Sequence, residues 1–327
     1  MAADVGGSVW QQVRGLSNLD YEYAHITQPI PISTGTPLDP VLGGGIPVGT
    51  FTVIGGEAGT GKSALAVMCA YYAAKAGRHP VFFSMEMPAH MVVSRMLSIH
   101  SVELRGRYGY GSDRQVWWSS TGDVVERCLG GIGPRSEMLK LDEQYRYQAA
   151  MRYVSQHADD DVVLSTWRDF RDSVWKNMAV VDNVFTVEQA CAWTAALAAE
   201  GSRPFPIIDY IQLGASGEGT EYERVTEASH LLARTCKQWN IPMLCISSLR
   251  NVGANERNDT PQLGWFRGSG HIGYDAGTAI VLMRDGDREP HESEQRVIAH
   301  VIKNRVGRVG DPTTMMFNGA ANWFRSA

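Results

Sequence analysis

The chain lacks any continuous apolar run of the ~18–20 residues that a membrane-spanning helix needs. Its N-terminus, Met1-Ala2-Ala3-Asp4-Val5, also lacks the basic-then-apolar order of a secretory signal. Both absences point to a cytoplasmic protein with no membrane partner. Cysteine is scarce: Cys69, Cys128, Cys191, Cys236 and Cys245 form no Cys-x-x-Cys pair, and most stand in apolar surroundings. This usage reads as buried reduced thiols and argues against a structural zinc site. The nine histidines are scattered and read as surface or satisfied polar residues, not as ligands. There is no basic excess either. A net charge of −5 does not advertise nucleic-acid binding, although one basic loop lining a channel can act locally beneath an acidic exterior. Internal repeats and low-complexity segments are missing.

What is present suits a folded α/β enzyme. At 327 residues, with 44% hydrophobic and 20% charged, the chain can bury a substantial core in one large domain or two ordinary ones. Its organising stretch is Gly55-Gly56-Glu57-Ala58-Gly59-Thr60-Gly61-Lys62-Ser63, which fits the phosphate-loop pattern G-x-x-x-x-G-K-[ST] from Gly56 to Ser63. The β-prone run Phe51–Ile54 precedes it, and Ala64–Ala70, free of Gly and Pro, favours helix. A strand, a glycine loop and a helix in that order direct backbone N–H groups and a helix N-terminus at one spot, where a polyphosphate can sit. Lys62 would reach the β- and γ-phosphates and Ser63 would ligate Mg²⁺.

Around this motif the chain alternates. Ser8–Leu16 could form a short helix, and Asn18–Ile32 is polar, aromatic and Pro-punctuated, as in an arm or linker. Pro80–Ser84 is a buried-type strand that runs out at Met85-Glu86-Met87, with Pro88 placed for the first turn of the next helix. Glu86 therefore stands at a strand's carboxyl end, where doubly wound sheets gather ligands. Between about Arg105 and Trp175 the pattern loosens, apart from a helix expected at Glu137–His157; arginines beside aromatics there could stack on bases or simply pack. Strand Ala179–Asp182, helix Val187–Ala199, strand Pro206–Tyr210, helix Glu221–Trp239 and strand Pro242–Ser247 follow. Further strand runs are Thr278–Met283, Arg296–Lys303 and Thr313–Phe317. Asp209 is the acid at its strand's end that a magnesium-holding strand requires beside Ser63. The expected fold is a mainly parallel twisted sheet flanked by helices, with antiparallel edge strands.

Several stretches then resemble one family. Thr34-Gly35 with Leu38-Asp39, Phe83-Ser84-Met85-Glu86-Met87, Ile208-Asp209-Tyr210-Ile211-Gln212-Leu213, Arg267-Gly268-Ser269-Gly270-His271-Ile272 with Asp275-Ala276, and Lys303-Asn304-Arg305-Val306-Gly307 are similar to the RecA-type motor domain of DnaB-like replicative helicases. The likeness covers roughly Ser33 to Phe324. It leaves 1–32 as an arm and 33–327 as the motor, with a variable insertion at about 105–175. The phosphate loop, behind Leu42-Gly43-Gly44-Gly45, is closer to RadA and KaiC relatives.

The resemblance implies a RecA-like P-loop ATPase that uses ATP and Mg²⁺. It makes Glu86 the residue that activates water, with Arg305 as an arginine finger and Lys303 as its companion, both inserted into a neighbour's site. A residue acting in trans implies a head-to-tail ring, hexameric in this family. Arg267, Gly268, Ser269 and Gly270 match the loop that grips single-stranded DNA. The implied activity is a 5′-to-3′ DNA helicase in replication, with a loader or primase as further partners. Three departures stand against it. Ser248 occupies the place of a glutamine γ-phosphate sensor, Gly273 and Gly277 replace usual acids, and no long N-terminal domain precedes the motor, as expected of a phage or mobile-element form. A RadA-like recombinase filament and a KaiC-like ATP-gated regulatory oligomer remain as alternatives.

Overall fold

Runs of β-branched and aromatic residues separated by helix-forming segments fold here into strands and helices in strict alternation through the first half of the described chain. The computed structural model describes residues 30–108, 168–183, 185–250, 260–268, 271–286, 294–319 and 321–327. The expected helices Ser8–Leu16 and Glu137–His157, and nearly all of the variable stretch, lie outside them.

The elements are β1 (Phe51–Gly56), α1 (Lys62–Lys75), β2 (His79–Ser84), α2 (Ala89–Tyr108), β3 (Ala179–Val181), α3 (Val187–Ala199), β4 (Pro204–Asp209), the short α4 (Ile211–Gly214), α5 (Glu221–Trp239), β5 (Met243–Ser248), α6 (His271–Asp275), β6 (Thr278–Arg284), β7 (Glu294–Asn304), β8 (Thr313–Asn318) and β9 (Trp323–Ser326). Among the described residues the strands make one sheet in the order β3-β2-β4-β5-β1-β6-β7-β8-β9. Neighbours from β3 to β6 are parallel, and β6 to β9 are antiparallel. This is the mainly parallel sheet with an antiparallel edge that the alternation of runs predicts.

Every residue of β1 and of β4 is buried, as expected of central parallel strands covered on both faces. Alternate residues serve the two faces. Ile54, Phe82, Ile207, Leu244 and Ile280 pack beneath α1 and α2. Val53, Phe83, Ile208, Cys245 and Val281 pack against α3, α5 and α6. Phe82 and Phe83, both fully buried, anchor opposite faces, and truncating either to alanine should cost ~3–5 kcal/mol.

Local chemistry sets the element ends. Thr186 with Gln189 and Thr220 with Glu223 each make a complete capping box at the starts of α3 and α5, and Asn240 closes α5 in the left-handed region at φ 48. Both helices occupy the spans expected from sequence. Several strand limits move. β1 runs on to Gly56 because Gly55 and Gly56 still pair with Ser247 and Ser248. Asp182 is not part of β3; its carboxylate accepts from the Ala89 amide at 2.7 Å and caps α2. That helix continues to Tyr108, past the point where the pattern loosens, and β9 adds an edge strand to the runs read from sequence.

Candidate functional site

Register brings the strand ends together. Gly56, the last residue of β1, pairs with Ser248 on β5 and Leu282 on β6, while Ser84 of β2 pairs with Asp209 of β4. A cleft of about 950 Å³ opens over these ends, at the carboxyl edge of the parallel strands. Lys62, Ser63, Glu86, Asp209 and Ser248 all line it, together with the loop residues Gly56, Glu57, Ala58, Gly59 and Gly61.

The loop's glycines answer to space as well as to backbone conformation. Gly59 and Gly61 have φ 76 and 87, in the left-handed region. A Cβ on Gly61 would lie 2.6 Å from the Phe324 ring, and one on Gly56 would lie 2.7 Å from the Leu282 carbonyl oxygen. The Thr60 hydroxyl donates to the Glu57 carbonyl at 2.9 Å and braces the turn from within. Lys62 folds back over it, donating to the carbonyls of Gly56 at 2.9 Å and Glu57 at 2.8 Å. Burial pulls its ammonium below the ordinary value, against the attraction of Asp209, Glu86 and Glu57.

Asp209 is the most conspicuous group. It is fully buried, and neither carboxylate oxygen has a hydrogen-bond partner among the described residues. Burial first, and then Glu86, push the carboxyl up to about 6, although the Ser63 hydroxyl, Arg95 and Lys62 favour the ionised form. A carboxylate buried with so little compensation is costly. A divalent cation resting on Asp209 and the Ser63 hydroxyl would satisfy it, so the oxygen donors here suit Mg²⁺.

Glu86 is aimed by its neighbours. The Ser84 hydroxyl accepts from the Met87 amide at 3.1 Å and donates to the Met87 carbonyl at 2.6 Å. This tight turn buries Met87 and leaves Glu86 exposed on the cleft side. Thr34 and Asp39 form another local clasp, with Asp39 accepting from both the Thr34 amide and hydroxyl. Gly35, at φ 68, presses so close to Tyr72 of α1 that a Cβ would stand 1.7 Å from its ring. The Thr34-Gly35…Leu38-Asp39 stretch thus seats the chain against the phosphate-loop helix.

Three arginines that the sequence does not single out line the cleft: Arg95, Arg250 and Arg284. Arg95, half-buried on α2, faces Asp209 and Glu86 with its charge. Arg284, at the end of β6, donates to the Ala58 carbonyl at 2.6 Å, and Gln295 of β7 donates to the Gly59 carbonyl at 2.7 Å. Together they brace the loop from the antiparallel side. Arg284 lies one residue past the strand run Thr278–Met283 read from sequence, and its position beside β1 requires the sheet order.

The remaining site candidates lie elsewhere. Lys303 donates to the carbonyls of Gly273, at 2.9 Å, and Tyr274. Arg305 donates to the Tyr274 carbonyl at 2.9 Å. Both thus rest on α6, and neither lines this chain's own cleft. Partial burial and the Arg305 charge push the Lys303 ammonium down to about 8. The exposed Arg267 pairs with the half-buried Glu221 at 3.2 Å, so its charge is already partly compensated. Ser269 and Gly270 fall outside the described residues. Gln212, quoted above only as part of a motif, joins the two regions: its side chain donates to the Ser247 hydroxyl at 2.8 Å and the Arg267 carbonyl at 2.7 Å, and accepts from the Ser248 amide at 3.3 Å.

Comparison with known proteins bears on the fold and on the kind of relative. Residues 167–326 match the DnaB-like helicase C-terminal domain, and residues 32–102 match the KaiC ATPase. A probable plasmid replicative DNA helicase of Chlamydia trachomatis serovar L2 is 25% identical over 264 residues, which is 80% of this chain and 47% of that protein. The chain spans about half the length of the curated relatives of that kind. Among solved structures, the ATPase domain of G40P matches with a TM-score of 0.63 at 17% identity, over 98% of this chain and 99% of the other. The structure of a DnaB-like replicative helicase, described with its interactions with primase, matches with a TM-score of 0.62 at 17% identity, over 95% of this chain and 66% of the other. At such identities the likeness is one of fold. The chain accordingly has the RecA-like P-loop fold of these structures, and its residues 167–326, just under half of it, match the DnaB-like helicase C-terminal domain.

Proposed function

We propose that this protein hydrolyses ATP at the interfaces of a head-to-tail ring and uses the energy to translocate on single-stranded DNA, as a replicative helicase. The observation that carries the reading is the meeting of Lys62, Ser63, Glu86 and the buried Asp209 in one cleft, while Lys303 and Arg305 stand outside it. The loop amides and Lys62 bind and orient the phosphates. Ser63 and Asp209 would hold Mg²⁺, which, when bound, screens the charge of the phosphates. Glu86 accepts the proton of the attacking water. Arg305 and Lys303 reach a neighbour's cleft and stabilise charge on the transferred phosphoryl group. A hexamer, a loader and a primase are the partners this reading implies, by likeness to proteins named as replicative helicases and to one described with primase.

DNA enters the proposal through Arg267 and the Gly268–Gly270 loop. The Arg267 amide bonds the Ser248 carbonyl at 2.8 Å, and Leu249 pairs with Phe266. Arg267, where that loop begins, is therefore pinned beside the end of β5, which lines the cleft. Gln212 adds side-chain bonds across the same junction. Ser248, with its short hydroxyl, marks the phosphate-facing end of this path. The match of 32–102 to the KaiC ATPase favours a second reading, an oligomer gated by nucleotide that moves no DNA.

Glu86→Gln separates binding from chemistry. The variant should bind ATP as the parent does and lose turnover by about a hundredfold or more; an active Glu86→Gln protein would remove Glu86 as the base.

A further inference from the structure

We propose that His230, His271 and Asp275 form a binding site for a divalent transition-metal ion of the zinc class, joining α6 to α5. Each residue offers one ligand atom, and the three atoms lie within 4.8 Å of one another. His271 and Asp275 are four residues apart on α6 and so share a face. His230 comes from α5, its ring 5.7 Å from that of His271 at 78°.

The spacing suits a small tetrahedral ion. His230 Nε2 stands 3.5 Å from the Asp275 carboxylate, close to the roughly 3.4 Å ligand separation that bonds of ~2.1 Å require. The other separations, all within 4.8 Å, shorten as an imidazole turns about its side-chain bonds. The His230 side chain, 58% exposed, has room to do so. Two imidazoles and one carboxylate select zinc, nickel or copper over magnesium or calcium, which prefer all-oxygen sets. The open side leaves the fourth position to water.

The surroundings favour order at Asp275. The Ser229 hydroxyl donates to its Oδ2 at 2.7 Å, as an outer-shell partner of a metal-bound carboxylate does. Lys303 is the nearby cation that senses Asp275, but its ammonium is engaged by the Gly273 and Tyr274 carbonyls. His271 also meets the Tyr222 ring edge-on, which gives its imidazole a wall.

Neither histidine lines the nucleotide cleft, so the site stands independently of the proposed chemistry. Its consequence alone rests on the helicase reading. α6 follows the Arg267–Gly270 loop directly, and its carbonyls hold Lys303 and Arg305. An ion tying α6 to α5 fixes the element that lies between the proposed DNA loop and the proposed finger.

The test uses the full chain, freed of metal and kept in excess Mg²⁺ so that Ser63 and Asp209 are not counted. Zinc is titrated calorimetrically, and cobalt is followed by its visible absorption. The expected result is one saturable ion per chain, nitrogen- and oxygen-type cobalt bands, and a zinc-dependent rise in melting temperature. His271→Asn and His230→Asn should each weaken binding by about tenfold or more, and Ser229→Ala should weaken it measurably. Because His230 lies half-exposed on a helix surface, His230→Asn keeps the test open should His271→Asn fail to fold. Absence of saturable binding, or binding unchanged in folded His230→Asn protein, would overturn the site. Its failure would leave the helicase reading untouched, since ATP turnover and DNA stimulation are separate readouts.

Discussion

Asp209 carries a cost in the free protein that its ligand would relieve. Its carboxyl has an ordinary value near 3.8 and rises in the fold to about 6, chiefly through burial. A raised acid pKa gives stability that is complete below about pH 4 and is lost as the pH climbs through about 6, because only the unfolded chain ionises freely across that window. The loss amounts to about 3 kcal/mol as an upper figure. Through this group the nucleotide-free protein should melt about 2 °C higher at pH 5 than at pH 7.5, and at pH 7.5 Asp209→Asn should raise the melting temperature. The same variant should lose Mg²⁺-dependent hydrolysis. Thermal melts of both proteins across pH, without nucleotide, check the sign; a destabilised Asp209→Asn protein at pH 7.5 would show that Asp209 is satisfied by the fold itself.

Elements show how much of the molecule was legible in advance. The phosphate loop, Glu86 and Asp209 could be read because each stands at the end of an apolar run, and a parallel sheet collects such ends at one edge. α3 and α5 could be read to their limits because Thr186, Thr220 and their partners at Gln189 and Glu223 are local capping signals. Arg95 and Arg284 could not, because their roles come from helix rotation and strand order, which are long-range facts. β9, Trp323–Ser326, is four residues long and gains its identity only from pairing with β8. The His230–His271–Asp275 grouping joins residues forty-one apart and contradicts the reading of histidines as scattered bystanders if it binds metal. At this scale Gln212 is the link to test: it holds Ser247 and Ser248 to Arg267 across β5 and the loop. Gln212→Ala should leave ATP binding intact and reduce the stimulation of turnover by single-stranded DNA several-fold. Equal loss with and without DNA would assign Gln212 to the fold or the basal site.

At the scale of the whole molecule, the arrangement of charges matters more than their sum. The net charge of −5 gives no general attraction for a polyanion, so the proposed DNA contact has to be local and screened by salt. Lys303 and Arg305 rest on carbonyls of α6 and not on this chain's own cleft. The proposed role in a neighbour's cleft requires such a placement. Arg305→Ala and Lys62→Ala should each be inactive alone, and mixtures should regain part of the turnover where an intact cleft meets an intact finger; inactivity at every mixing ratio would argue against a shared site.

The most direct measurement is the rate of ATP hydrolysis with and without single-stranded DNA, on protein whose mass is determined in the same buffer with ATP and Mg²⁺. A helicase of the proposed kind gives a ring of about six subunits whose turnover rises when DNA is added. A defined oligomer whose turnover ignores DNA would contradict translocation and leave the nucleotide-gated assembly in its place.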